Sequence, residues 1–246
     1  MKKILSFVLL FTAAVFPLKP AEFSIAAAPS YGSYYMQGLR NYQEHIESAY
    51  ESKYDLDFKT VDDFPGGFFV PVEARVRFGK NILGLGFQQF STGSRTGYKD
   101  YSGRVWTDFY VDTDVLYLLY KFDFNMSGIL DFKIMVDYNM LFSTLRIEDY
   151  SNISLEETTS KDEYECFSHT LTVGTELTKR FGDFELGLRI AYMVDLNNLI
   201  VPGYFELNED RAWGMSRSIR SQWGGFRAGL VFAYNFTENS KIQPHE

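Results

Sequence analysis

Along residues 226–236 every second side chain is Phe, Ala, Leu, Phe, Tyr and Phe, and the positions between are Arg, Gly, Val, Ala and Asn. Successive side chains of a strand point to opposite faces, so this segment has one greasy face and one small or polar face. The same period recurs along the chain. Phe68, Val70, Val72, Ala74, Val76 and Phe78 alternate with Phe69, Pro71, Glu73, Arg75, Arg77 and Gly79. Leu83, Leu85 and Phe87 alternate with Gly84, Gly86 and Gln88; Leu116, Leu118, Tyr120 and Phe122 alternate with Tyr117, Leu119 and Lys121. Leu130, Phe132, Ile134, Val136, Tyr138, Met140 and Phe142 stand against Asp131, Lys133, Asp137 and Asn139. Phe167, Leu171, Val173 and Leu177 oppose Ser168, Thr170, Thr172, Gly174 and Glu176, and Phe184 to Val194 oppose Glu185, Gly187, Arg189 and Asp195. With an N-terminal strand over about 22–35, the pattern predicts eight strands. Pro71 cannot donate to a ladder, which predicts a bulge or an irregular strand start there.

The connections sort by length. Residues 79–81, 125–128 and 180–183 read as tight turns, whereas about 36–66, 92–105, 145–164 and 197–223 read as long loops. Long and short alternate, the habit of barrels that cross a membrane with short turns on one side and loops on the other. In the first long loop Leu39, Tyr42, Ile46 and Tyr50 fall at three- and four-residue spacing. That spacing predicts a short amphipathic helix, either capping the mouth or packed on its rim.

Charge sharpens the picture. The polar face carries Glu73, Asp131, Asp137, Glu176, Glu185 and Asp195 against Arg75, Arg77, Lys121, Lys133, Arg189 and Arg227. The signs balance. An eight-stranded barrel has an interior only wide enough for side chains, and charges held there need partners. The expectation is a plugged lumen in an all-β, eight-stranded antiparallel up-and-down transmembrane barrel. A soluble lipocalin-like carrier has the same alternation with its faces reversed. The aromatic share of 17%, the balanced inner charges and the export signal favour the membrane version.

That signal is Lys2 and Lys3 followed by the apolar run Ile4 to Phe16, too short for a membrane helix. Cleavage near Ala21 divides the chain into a signal peptide (1–21), a barrel domain (22–236) and a tail (237–246). Mean hydropathy is only −0.18, as expected where lumen and lipid residues cancel. The net charge of −8 argues against nucleic acid, which needs a basic face. Cys166 is the sole cysteine, so no internal disulfide and no cysteine metal cluster can form.

These residues resemble the small outer-membrane β-barrels of Gram-negative bacteria, the OmpA/OmpX/OmpW-like group. The resemblance covers Glu22 to Phe236 and rests on the export signal, the even strand number and the final Tyr234-Asn235-Phe236. It implies an outer-membrane location among lipid and lipopolysaccharide, with Tyr234 and Phe236 as the signal read by the barrel-assembly machinery. Residues 237–246 beyond that aromatic end depart from the group's pattern.

Candidate chemistry is sparse. The histidines are His45, His169 and His245. His169 is in phase with the greasy Phe167 and Leu171, while Ser168 points the other way, so the two form no nucleophile–base pair. Asp112 and Asp114 share a face with Leu116 and Leu118, where paired carboxylates suit acid–base work or a position beyond the apolar band. The acidic residues near 44–63 and 148–165 could hold divalent cations that bridge lipopolysaccharide phosphates, or simply be solvated; no spacing matches a calcium loop. Trp106, Tyr110, Tyr138, Phe142 and Tyr192 at one end, with Phe124, Phe181, Tyr234 and Phe236 at the other, suit interfacial girdles. The expected role is structural or interactive, through the outer loops, toward a partner the sequence does not name. No catalytic residue, metal or cofactor is expected. The alternatives are a narrow, porin-like channel of OmpW type and a rim enzyme acting on lipid.

Overall fold

Backbone pairing turns the alternating segments into a closed ring. The computed structural model describes residues 22–54, 58–61, 63–100, 103–124, 130–153, 156–196, 203–207 and 217–236. Its elements are β1 (Glu22–Ala27), β2 (Ser30–Gly32), α1 (Gln37–Tyr54), β3 (Lys59–Val61), β4 (Gly67–Phe69), β5 (Val72–Phe78), β6 (Asn81–Lys99), β7 (Gly103–Asp123), β8 (Asp131–Ile153), β9 (Glu156–Phe181), β10 (Phe184–Asp195), β11 (Tyr204–Leu207), β12 (Arg217–Arg220) and β13 (Gly225–Phe236). β1 continues into β2, and β4 into β5, so the ring has eight antiparallel walls. β13 closes it, pairing Phe236 with Phe23 and Arg227 with Gly32. Closure leaves no free sheet edge within the ring. The expected turn at 180–183 is present, with Gly182 at a φ of 62°; the turn at 125–128 lies outside the described residues.

The greasy face is outside. On β10, Leu188 is 56% exposed and Ile190 55%, whereas the inward Met193 is fully buried. Soluble sheets bury that face; this ring presents it to the surroundings.

One expectation is corrected and another narrowed. The described residues of 92–105 and 145–164 are strand rather than loop, apart from the bend at Asp100. The β6–β7 ladder runs unbroken to Lys99 opposite Arg104, and β8–β9 runs to Ile153 opposite Glu156. The alternation continues in these segments with Thr, Val, Tyr and Phe, which suit a pleated surface, so the strands rise far past the apolar belt as a wall. Of the two outcomes expected at Pro71 the bulge is absent, whereas the irregular strand start is present: β4 ends at Phe69 and β5 begins at Val72. Ala27 pairs with Val72 and Ser30 with Phe69, so the register holds across the proline. The Ala28 N–H donates to the Pro71 carbonyl at 2.9 Å. The Ala28 carbonyl, which a proline nitrogen cannot serve, accepts from Ser30 Oγ at 2.7 Å instead.

The mouth is filled by apolar side chains. α1 is 18 residues long, more than the short helix expected, and buries Leu39 and Ile46 beneath it. Gln43 on the same face donates to Thr96 Oγ1 at 2.7 Å and accepts from Ser94 Oγ at 2.8 Å, both on the wall β6. Met36, Phe64, Phe109 and Phe205 join this core. At its base Trp223 packs 4.8 Å from the Phe90 ring and 5.4 Å from Tyr34, and its Nε1 donates to Ser143 Oγ at 3.0 Å. Truncating such a side chain leaves a cavity in a packed interior. Trp223→Ala is therefore expected to destabilise the barrel by about 3–5 kcal/mol, read as a lowered urea midpoint by circular dichroism in detergent micelles.

Candidate functional site

Inward positions on β5, β7, β8, β9 and β10 bring most of the predicted charges into one cluster at the tight-turn half of the lumen. Lys121 on β7 reaches Glu73 on β5 at 3.0 Å and Glu176 on β9 at 2.6 Å. Arg189 on β10 reaches Glu73 at 2.7 Å and, through Nε, Glu176 at 2.7 Å. Arg75 closes on Glu73 at 2.5 Å and lies 3.6 Å from Glu176. Lys133 on β8 is bound to Glu185 on β10. Both lysines are fully buried. Nearer the turns, Arg77 meets Asp123 at 2.6 Å and Glu22 at 3.5 Å, and Arg180 meets Glu22 at 2.8 Å.

Local sequence explains why the cluster fits. The Tyr117 hydroxyl donates to Glu73 at 3.0 Å, and its ring needs the space beside Gly86, where a Cβ would lie 2.1 Å from a ring carbon. The alternation turns Tyr117 inward but gives it no role, and Asp123 joins the cluster from a position in phase with Lys121 just past the last alternating pair.

Four predicted lumen residues stay outside the cluster. Asp137 and Arg227 sit in the middle of the lumen. Arg227 lies 5.0 Å from the Phe69 ring centroid and 5.1 Å from that of Phe90. Asp131 is half-buried at the foot of β8, and Asp195 is half-buried where β10 ends.

On the outer face, His169 lies at the mouth-side margin of the apolar belt. Its Nδ1 is 2.8 Å from the Tyr138 hydroxyl, and its ring stands edge-on to Phe167 at 4.6 Å. Ser168 is fully buried inside. The neighbours of His169 are the rings of Tyr138 and Phe167, and Ser168 stands on the opposite face of the wall. Asp112 and Asp114 are on the outer face, just beyond Leu116, and Gln89 Nε2 donates to Asp114 at 2.7 Å. Farther up the wall, Arg95 is paired with Asp108 and Arg146 with Glu163 at 3.1 Å. Hydrogen bonds from Lys161 and Arg146 hold the Glu163 carboxyl below its usual range.

Trp106 stacks on Tyr150 at 3.9 Å, with the Arg104 guanidinium over both rings. Trp106 and Tyr110 thus belong to the protruding wall rather than to a girdle, because the strands extend where a loop was expected. The mouth-side aromatics at the belt are Tyr138, Phe142, Phe167, Tyr31 and Phe68. At the turn end Phe23, Phe236, Tyr234 and Phe184 form a continuous row, with centroids 4.9 to 5.5 Å apart. Among the described residues no group of three or more His, Cys, Asp or Glu converges as a metal site.

Chemically the cluster braces the walls, its buried cations and carboxylates committed to one another. Breaking one member should cost more than deleting a matched pair. Lys121→Met leaves Glu73 and Glu176 short of a cation and is expected to cost about 3–5 kcal/mol. Adding Glu176→Gln should recover part of that loss in the same urea titration.

No protein-family model and no curated protein sequence matches the chain. Among solved structures it is similar to Neisserial surface protein A, at 13% identity over 89% of this chain and all of that one, with a TM-score of 0.39. It is also similar to the N-terminal β-barrel domain of Pseudomonas aeruginosa OprF (10% identity, 88% and 100% covered, TM-score 0.34) and to Ail, the attachment invasion locus protein of Yersinia pestis (12% identity, 88% and 97% covered, TM-score 0.32). These are small outer-membrane β-barrels, the group that the sequence resembles. The architecture itself rests on the closed ring of strands described above.

Proposed function

We propose that the chain is an outer-membrane β-barrel of structural or interaction type, acting through the wall and crown that stand outside the bilayer. The observation that carries this reading is the pairing of an apolar outer belt with a filled lumen. Exposed Phe, Leu, Ile and Val around the whole ring need lipid, since so large an apolar surface is not tolerated in water. Inside, the ion-pair cluster and the apolar mouth core occupy successive levels, which disfavours a solute channel. What remains for partners is the outer surface: the tall β6–β9 wall with its Arg, Asp, Glu and aromatic ladder, and the α1 crown.

In this reading residues 1–21 direct export in a Gram-negative bacterium and are removed. Tyr234 and Phe236, outward on the closing strand, serve the barrel-assembly machinery. The charged rows above the belt face lipopolysaccharide. The mature protein should fractionate with the outer membrane and give a heat-modifiable band, and planar bilayers containing it should stay silent. Recovery as a soluble periplasmic monomer, or steady single-channel conductance, would overturn the proposal.

The lipid contact has its own test. Leu188 faces outward in the middle of β10, opposite Leu177 and Leu230. In a bilayer Leu188→Arg should cost about 2–4 kcal/mol, measured as folded fraction in lipid vesicles under urea. On a water-facing surface the same change would be close to neutral.

A further inference from the structure

The middle of the lumen holds a buried acid and a buried base that make no ion pair among the described residues. Arg227 projects from β13 with only 6% of its surface exposed. Its Nη1 donates to Gln88 Oε1 at 3.3 Å and its Nη2 lies 3.1 Å from Met193 Sδ, but the buried Nε has no hydrogen-bond partner. Asp137, on β8, is 4% exposed, and its Oδ1 is likewise buried without a partner. Asn139, two residues along the same strand, commits its Nδ2 to Thr172 Oγ1 at 3.0 Å and to the Asp137 and Thr170 main-chain carbonyls at 3.3 Å, not to the Asp137 carboxylate. Asp137 and Arg227 line one cavity of about 20 Å³.

Buried charges are retained only where something hydrogen-bonds them. The cavity's volume is close to the roughly 10–15 Å³ that one water requires, and too small for an organic ligand. A metal cation is disfavoured because the guanidinium groups of Arg227 and Arg189 both line the space. An anion is disfavoured by the Asp137 carboxylate. Water satisfies both, accepting from one group and donating to the other. We propose that this cavity is an internal hydration site, in which a bound water accepts from Arg227 Nε and donates to Asp137 Oδ1. The bridge ties β13, the closing strand, to β8 across the lumen, at the level between the ion-pair cluster and the apolar mouth core.

The test is a crystal structure of the folded barrel at a resolution that shows ordered water, from crystals grown in chloride and in bromide. The expected result is one density within hydrogen-bond distance of both Asp137 Oδ1 and Arg227, with no anomalous signal in bromide. A dry cavity, or a bromide peak there, overturns the proposal. A double-mutant cycle keeps it falsifiable without crystals. Asp137→Asn and Arg227→Met should each lower the folded-to-unfolded ratio roughly tenfold, and together little more than either alone. An additive loss of roughly a hundredfold would mean that the two residues act independently, and the bridge would be abandoned.

Discussion

Closure of the ring is the constraint on which everything else depends. Eight strands enclose a space no wider than the side chains that fill it, and no edge remains through which water could solvate the backbone. Each inward residue must therefore find its partner across the lumen rather than in solvent. Glu73, Lys121, Glu176 and Arg189 come from four separate walls, and each carboxylate lies within 3.0 Å of both cations. Such a cluster adds little net stability, because desolvation offsets most of the attraction. Its consequence is specificity. A one-residue slip in any ladder would send these charges outward and the greasy face inward.

The same closure dictates the outside. With its polar groups committed to the lumen and its backbone bonds committed to the ladder, the ring turns Phe, Leu, Ile, Val, Tyr, Ala and Met outward along the belt, with Thr175 between Ile134 and Ile190 as an uncharged exception. On the mouth side, where charged residues reappear on that face at Asp112, Asp114 and Arg146, the strand has risen past the belt. The outward row of β7 thus marks a boundary, with Leu116 below it and Asp114 above.

Much of this was legible because a strand's period is two and closure enforces it strictly. The parity of Glu73 with Arg75, or of Leu186 with Leu188, fixes the facing of each residue whatever its neighbours do. The lengths of the walls were less legible. Thr92 to Lys99 and Thr144 to Ile153 look like polar loop by composition, yet they pair to their ends, because alternation rather than polarity decides. Trp106 was misplaced as a girdle residue for that reason alone. The mouth core was not legible, since Phe64, Phe109, Phe205 and Trp223 come from segments that no common period connects. Only the tertiary path of the connections brings them together. Pro71 looked like a break because its missing donor can be read from sequence, whereas the Ser30 hydroxyl that serves the orphaned carbonyl cannot.

The two halves of the lumen therefore have different origins. The ion-pair cluster is built from wall residues, so it forms as the ring closes and requires no connection to be ordered. The mouth core draws Met36, Leu39, Phe64, Phe205 and Trp223 from outside the eight walls, and ordering those segments has an entropic cost that the buried apolar surface must exceed. Register and closure are properties of the lower level, and the seal and the crown are properties of the upper. Side chains on the outer surface of α1 or of the protruding wall contribute to neither, and can vary with whatever they meet beyond the belt without disturbing the ring beneath them.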